Sequence, residues 1–172
     1  MAEPVEIDDG ARVDTAQVDG EPRWLDDPEA AAWRAYLQMT HLLQRELDSQ
    51  LQRDAGMPHT YYGILARLSD QSPAIVRVTD IAADLDYSQS RMSHALTRME
   101  SAGWIVRKPC DTDRRVTYIE LTDTGRDVIT AAAPGHVQCV RENFLDHLTP
   151  TQVRQLRKIC DSVIAAIADD CR

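Results

Sequence analysis

VTDIAADLDYSQSRMSHALTRMESAGWIVRKPCDTDRRVTYIEL, from Val78 to Leu121, is the stretch whose reading decides the fold. Thr79 is placed to cap a short helix, and Ser88 caps a second that ends at Gly103. Ile105–Lys108 and Val116–Leu121 then read as strands, with Asp-Thr-Asp-Arg-Arg (111–115) at the turn between them. A compact domain gains little from an Asp-Arg-Arg sequence on a protruding loop. Beside DNA such a loop has a use: a helix enters the major groove while a basic loop reaches the neighbouring backbone or minor groove. The pattern predicts a winged helix-turn-helix.

The second helix of this pair divides cleanly. Met92, Ala95, Leu96 and Met99 form one apolar stripe. At about 100° per residue the opposite face carries Ser90, His94, Thr97 and Ser101, with Arg91 and Arg98 on a flank. Arginine bonds guanine O6 and N7, while Ser and Thr bond bases or phosphates. The hairpin adds Arg107 and Lys108 at its base and Asp113, Arg114 and Arg115 at its tip. One tip arginine is expected in the minor groove or on phosphate, with Asp113 pairing the other. The candidate DNA contacts are therefore Ser88, Ser90, Arg91, Ser93, His94, Thr97, Arg98, Arg107, Asp113, Arg114 and Arg115.

Helices are expected on both sides of this module. Residues 1–23 are acidic and poor in large apolar side chains, which predicts a disordered tail. Asp27 as N-cap and Pro28 at the first helical position open a long helix to about Arg53, and Gly56 and Pro58 end it. A further helix spans His59 to Ser69. After the hairpin, Thr122 or Asp123 caps a long helix expected to break or kink at Pro134-Gly135. Thr149-Pro150-Thr151-Gln152 begins the last helix as a capping box, followed by Val153, Leu156, Ile159 or Cys160, Val163 and Ile167. The fold class is thus mainly α with a small β-hairpin wing. The expected parts are a tail (1–23), an N-terminal dimerisation helix (24–57), the winged module (58–122) and C-terminal dimerisation helices (123–172). Apolar helices lying outside so small a module call for a second subunit, and two such modules read a palindrome about one helical turn apart.

The net charge of −9 does not oppose this reading. Ten of the 28 acidic side chains fall in the first 30 residues, against only Arg12 and Arg23. No apolar run approaches the ~20 residues that span a bilayer, and MAEPVEIDDG lacks the pattern of a secretory leader, so a cytoplasmic location is expected. Cys110, Cys139, Cys160 and Cys171 have no zinc-knuckle or thioredoxin spacing and are read as reduced thiols. His59, His136 and His147 show no metal-ligand spacing. Neither a metal nor a cofactor is expected. No nucleophile elbow, phosphate loop or paired-carboxylate pattern points to an enzyme.

From about Trp24 to Ala168 the chain resembles the MarR family of bacterial transcriptional regulators. The residues that carry the likeness are Ile81-Ala82-Ala83-Asp84-Leu85, Ser90-x-Met92-Ser93, Leu96-x-x-Met99-Glu100-x-x-Gly103-Trp104-Ile105 and Arg107. Asp113-Arg114-Arg115 and Leu121-Thr122-x-x-Gly125 complete the set. The resemblance implies a homodimer, formed by the first and last two helices, that binds an inverted repeat of double-stranded DNA, usually as a repressor. It carries the wing-tip arginine onto Arg115 and its supporting acid onto Asp113. It also implies release of DNA by a small, often aromatic, effector or by oxidation of a cysteine. The effector site would lie where the dimer helices meet the DNA-binding lobe, with Trp33, Tyr36, His41, Tyr61, Tyr62 and Arg67 as candidates, although aromatics at helical spacing also read as core. The early first-helix cysteine of the family's peroxide-responsive members has no counterpart here, since no cysteine precedes Cys110. Cys110, near Arg107 and Lys108, is the remaining thiol candidate. A winged helix can instead serve as a protein-interaction module; that would make Arg114 and Arg115 dispensable and remove any salt-dependent DNA affinity.

Overall fold

The computed structural model describes residues 22–71, 75–85, 87–110, 112–113 and 116–170, with the backbone alone at 169–170. The chain divides into two compact units, 1–38 and 39–172. The elements are α1 (Asp27–Ala55), α2 (His59–Ser69), β1 (Ile75–Arg77), α3 (Val78–Asp84), α4 (Gln89–Ser101), β2 (Ile105–Pro109), β3 (Thr117–Leu121), α5 (Asp123–Asn143), a 3-10 turn (Leu145–His147) and α6 (Pro150–Asp170). The expected tail lies outside the described residues, apart from its last two.

Within the first unit, α1 opens on a reciprocal capping box. The Glu29 amide donates to Asp26 Oδ1 at 2.7 Å, and the Asp26 amide donates to Glu29 Oε2 at 3.0 Å. The cap is thus Asp26 rather than Asp27, because only Asp26 has a glutamate three residues on to complete the box. Trp33 and Tyr36 stack with ring centroids 5.9 Å apart.

In the second unit, one apolar core joins α2, α3, α4, α5 and the sheet. Ile64, Leu65 and Leu68 of α2, Ile81 of α3, Met92, Leu96 and Met99 of α4, and Ile105 and Ile119 of the strands are all sealed from solvent. Each such side chain contributes up to roughly 1.5–3 kcal/mol by leaving water. The three-stranded antiparallel sheet has the order β1-β3-β2. Its registers include Val76 opposite Ile119 and Arg107 opposite Ile119. The sequence reading had only the hairpin; β1 adds a third strand.

Two other expectations change. Thr79 does not cap α3: the N-cap position is Arg77, without a side-chain bond, and the Thr79 hydroxyl donates to Asp80. Continuation of β1 straight into α3 displaces the cap. Nor does α5 break at Pro134, since the helix runs from Asp123 to Asn143 with the proline inside it. Thr130, Ala131 and Pro134 are exposed, so water can serve the Thr130 carbonyl that the missing N–H leaves free.

Other starts are as expected. Ser88 Oγ accepts from the Arg91 amide at 3.3 Å, and Thr122 Oγ1 accepts from the Gly125 amide at 3.0 Å. At α6 the Thr149 amide donates to Gln152 Oε1 at 2.8 Å and Thr149 Oγ1 accepts from the Gln152 amide at 3.3 Å. α4 ends on Gly103 at φ +74°, a left-handed turn that only glycine adopts readily.

Candidate nucleic-acid interface

The α2–α3–α4 arrangement places α4 at the surface. Its apolar stripe of Met92, Ala95, Leu96 and Met99 is buried, and Ser90, Ser93, His94, Thr97 and Arg98 are exposed. The Ser88 and Ser90 hydroxyls lie 3.3 Å apart at the N-terminus. α3 is tied to α2 by an Arg67–Asp84 ion pair of 2.6 Å, which fixes the first half of the helix-turn-helix.

Two arginines expected to face DNA are engaged by other groups of the protein, Arg91 while remaining exposed and Arg107 half-buried. Arg91 Nη2 donates to Thr60 Oγ1 at 2.7 Å, and the guanidinium lies over the Tyr87 ring at 4.4 Å. Arg107 Nη2 donates to Thr97 Oγ1 at 2.9 Å, and Thr97 in turn donates to the Ser93 carbonyl at 2.9 Å. Arg107 Nε also faces Glu100 Oε2 at 3.2 Å, an ion pair whose N–H is not aimed for a hydrogen bond. Thr97 and Arg107 thus bind the C-terminal half of α4 to β2.

The wing is the β2–β3 hairpin. Lys108 pairs with Glu120 across its strands. At its tip the Cys110 amide donates to the Val116 carbonyl and the Val116 amide to the Asp113 carbonyl, both at 3.0 Å. Arg114 and Arg115 lie outside the described residues. Between wing and helix runs a groove of about 560 Å³, bordered by Arg77, Thr79, Met92, Ser93, Arg107 and Thr117.

Arg77, which no motif singled out, lies 5.9 Å from the Tyr118 ring. Its place, like that of Thr60 and Tyr87, depends on β1 pairing with β3 and α2 packing near α4. No local sequence signal could have found them.

The candidate effector residues have several settings. Tyr61 meets Trp104 edge-on at 6.4 Å, and Tyr62 lies against His136 at 4.1 Å. Arg67 is occupied by Asp84. His41 borders a cleft of about 360 Å³ with Arg45, Asp48, His59, Thr60 and Arg91. The Cys110 thiol is held below its ordinary pKa, chiefly by the Thr112 hydroxyl at 3.2 Å and then by backbone donors of Thr112 and Asp113. The expected cause, nearby Arg107 and Lys108, does not operate, because both cations pair with glutamates. Cys110, Cys139 and Cys160 are free thiols; Cys139 is buried, whereas Cys160 is exposed on α6. Among the described residues no three His, Cys, Asp or Glu side chains gather as a metal site, and no helix is long and apolar enough to cross a membrane.

Comparison with known proteins gives the geometry a context. A family model described as MarR family matches residues 55–116. Among solved structures, the MarR family transcriptional regulator Sco3205 from Streptomyces coelicolor, in complex with DNA, is 43% identical. The match covers 86% of this chain and 92% of that one, with a TM-score of 0.81. AbsC, a MarR family transcriptional regulator from the same organism, is 36% identical over 86% of this chain and 99% of its own, with a TM-score of 0.80. Among curated proteins, the transcriptional repressor MprA of Escherichia coli (strain K12) is 23% identical over 112 residues, covering 65% of this chain but only 63% of its own length.

Proposed function

The chain belongs to the MarR family, and on that premise we propose that this transcriptional regulator binds an inverted-repeat operator as a homodimer, α4 lying in the major groove. The observation that carries the reading is the divided α4. A sealed apolar stripe lies beneath exposed Ser90, His94 and Arg98, beside a wing, in a chain 43% identical to a regulator solved on DNA. Arg98 and His94 read base edges, Ser88, Ser90, Ser93 and Thr97 lie close to the backbone or bases, and Arg115 at the wing tip reaches minor groove or phosphate.

Partner contacts are assigned to the apolar side of α6, where Ile159, Val163, Ile164 and Ile167 are exposed in the single chain, and, separately, to the exposed Trp33, Tyr36 and Leu37 of α1. Repression is the expected sign of regulation. A small anionic effector, drawn to the guanidinium groups of Arg45 and Arg91 beside His41, is expected to release the operator.

The test is titration of purified protein against labelled DNA from upstream of its own gene at several salt concentrations, followed where needed by selection from random duplexes. A steep salt slope with binding that survives competitor DNA is expected. If even the best selected duplex is displaced equally by any DNA, a protein-interaction module becomes the better account. Arg115→Ala should weaken operator binding at fixed salt without lowering the melting temperature, and unchanged affinity would remove the wing-tip assignment.

The lowered pKa of the half-buried Cys110 favours a second, thiol-based reading. Hydrogen peroxide, which takes a single thiolate to the sulfenic acid, should then weaken DNA binding by the wild type and spare Cys110→Ser; equal response by the two proteins removes the reading.

A further inference from the structure

We propose that Arg91 is a positioning residue, locking the first turn of α4 against α2 through Thr60 and Tyr87 rather than reading DNA. The inference rests on α4 being the DNA-contacting helix. Arg91 is the third residue of α4, and Thr60 is the second of α2. Thr60 is only 9% exposed, and α2 buries Ile64, Leu65 and Leu68 completely, so the anchor belongs to the core. A planar guanidinium suits the task, because it lies flat on Tyr87 while donating in its own plane to Thr60 at 2.7 Å. The far half of α4 is held by Arg107 through Thr97 and Glu100. With a tie at each end, the helix has a defined roll and tilt. Releasing one end lets it pivot about the other, and displacements beyond about 0.5 Å separate a formed base contact from a lost one.

A positioning arginine and a DNA-contacting arginine differ in measurable ways. Thr60 lies beneath the surface of a different helix, so a change there acts on DNA only through Arg91. In the full-length protein, with a duplex selected by the wild type, Thr60→Val and Arg91→Met should each weaken binding on the order of tenfold. The double variant should be no weaker than either single one, since both remove the same tie. Thr60→Ser, which restores the hydroxyl, should bind within a factor of about two of wild type. The slope of log affinity against log salt should stay unchanged in all of them, because no phosphate contact is lost. Tyr87→Leu reaches the same tie while leaving Thr60 in place, and should weaken binding with the salt slope unchanged.

A slope reduced by about one in Arg91→Met, with Thr60→Val binding normally, would make Arg91 a phosphate contact and overturn the proposal. A loss confined to particular base substitutions would make it a base reader, with the same consequence. Hydrogen exchange tests the tie without DNA. Amides of the first turn of α4 should exchange faster in Thr60→Val and recover in Thr60→Ser; unchanged exchange counts against the tie. A wild type that selects no sequence would defeat the reading of α4 itself, an outcome distinct from normal binding by the variants.

Discussion

His59 at the start of α2 and His136 within α5 meet with ring centroids 5.4 Å apart, and Tyr62 lies 4.1 Å from His136. Burial is the leading cause that holds both imidazoles below their usual pKa. For His59, Asp48 opposes the shift and Arg91 adds to it; for His136, His59 adds to it. The pair is therefore neutral in the folded protein at pH 7, whereas in the unfolded chain each takes up a proton near pH 6.5. A folded pKa lying below the unfolded one makes stability constant above about pH 6.5 and lower as pH falls from there towards the folded values. Melting temperatures from pH 8 to pH 5 should show this decline, and His136→Phe should reduce it. A wild type and variant with parallel profiles would show that the pair does not titrate on unfolding. Gly125 is equally constrained. A Cβ there would stand 2.1 Å from the Trp104 carbonyl oxygen, so Gly125→Ala should cost more than about 2 kcal/mol in denaturant unfolding. The sequence motif displayed this glycine, but only the packing of α5 on the chain after α4 explains it.

At the scale of elements, helix starts were the most legible feature, because a cap is a local affair of three or four residues. Ser88, Thr122 and the Thr149–Gln152 box could be read directly. Thr122 has a wider role: its hydroxyl donates to the carbonyls of Gly103 at 2.7 Å and Trp104 at 3.0 Å. Thr122→Ala should therefore cost about 1–2 kcal/mol in chemical denaturation, at the upper end for a cap. A loss below a few tenths would show that water replaces these bonds freely. Strand β1 was not legible, since Ile75-Val76-Arg77 is too short to carry a period and becomes a strand only by pairing with β3. Its presence in turn removed the cap role from Thr79. The continuity of α5 through Pro134 was hidden for a related reason: a proline's effect depends on whether the carbonyl it frees can reach water.

For the whole molecule, the strongest expectation concerns association. Ile164 and Ile167 are 64% and 61% exposed on α6, far more than a lone domain would leave on one helix. Ile164→Asp should convert a sedimenting dimer to monomer at micromolar concentration and abolish tight operator binding while preserving the helical signal. A variant that stays dimeric would place the subunit contact elsewhere. The sequence by itself determined the fold class, the family and the division of α4 into buried and exposed faces. The fold class and the division of α4 follow from periodicity, caps and turn residues, which act over a few neighbours, whereas the family rests on the resemblance of the motifs. The sequence marked Arg91, Arg98 and Arg107 alike as candidates for DNA. Only the tertiary structure separated them, because Thr60, Tyr87 and Glu100 come to the first and last through folding, while among the described residues no such partner comes to Arg98. A guanidinium's task depends on which acceptor the fold brings within hydrogen-bond reach, and spacing along a chain does not encode that distance.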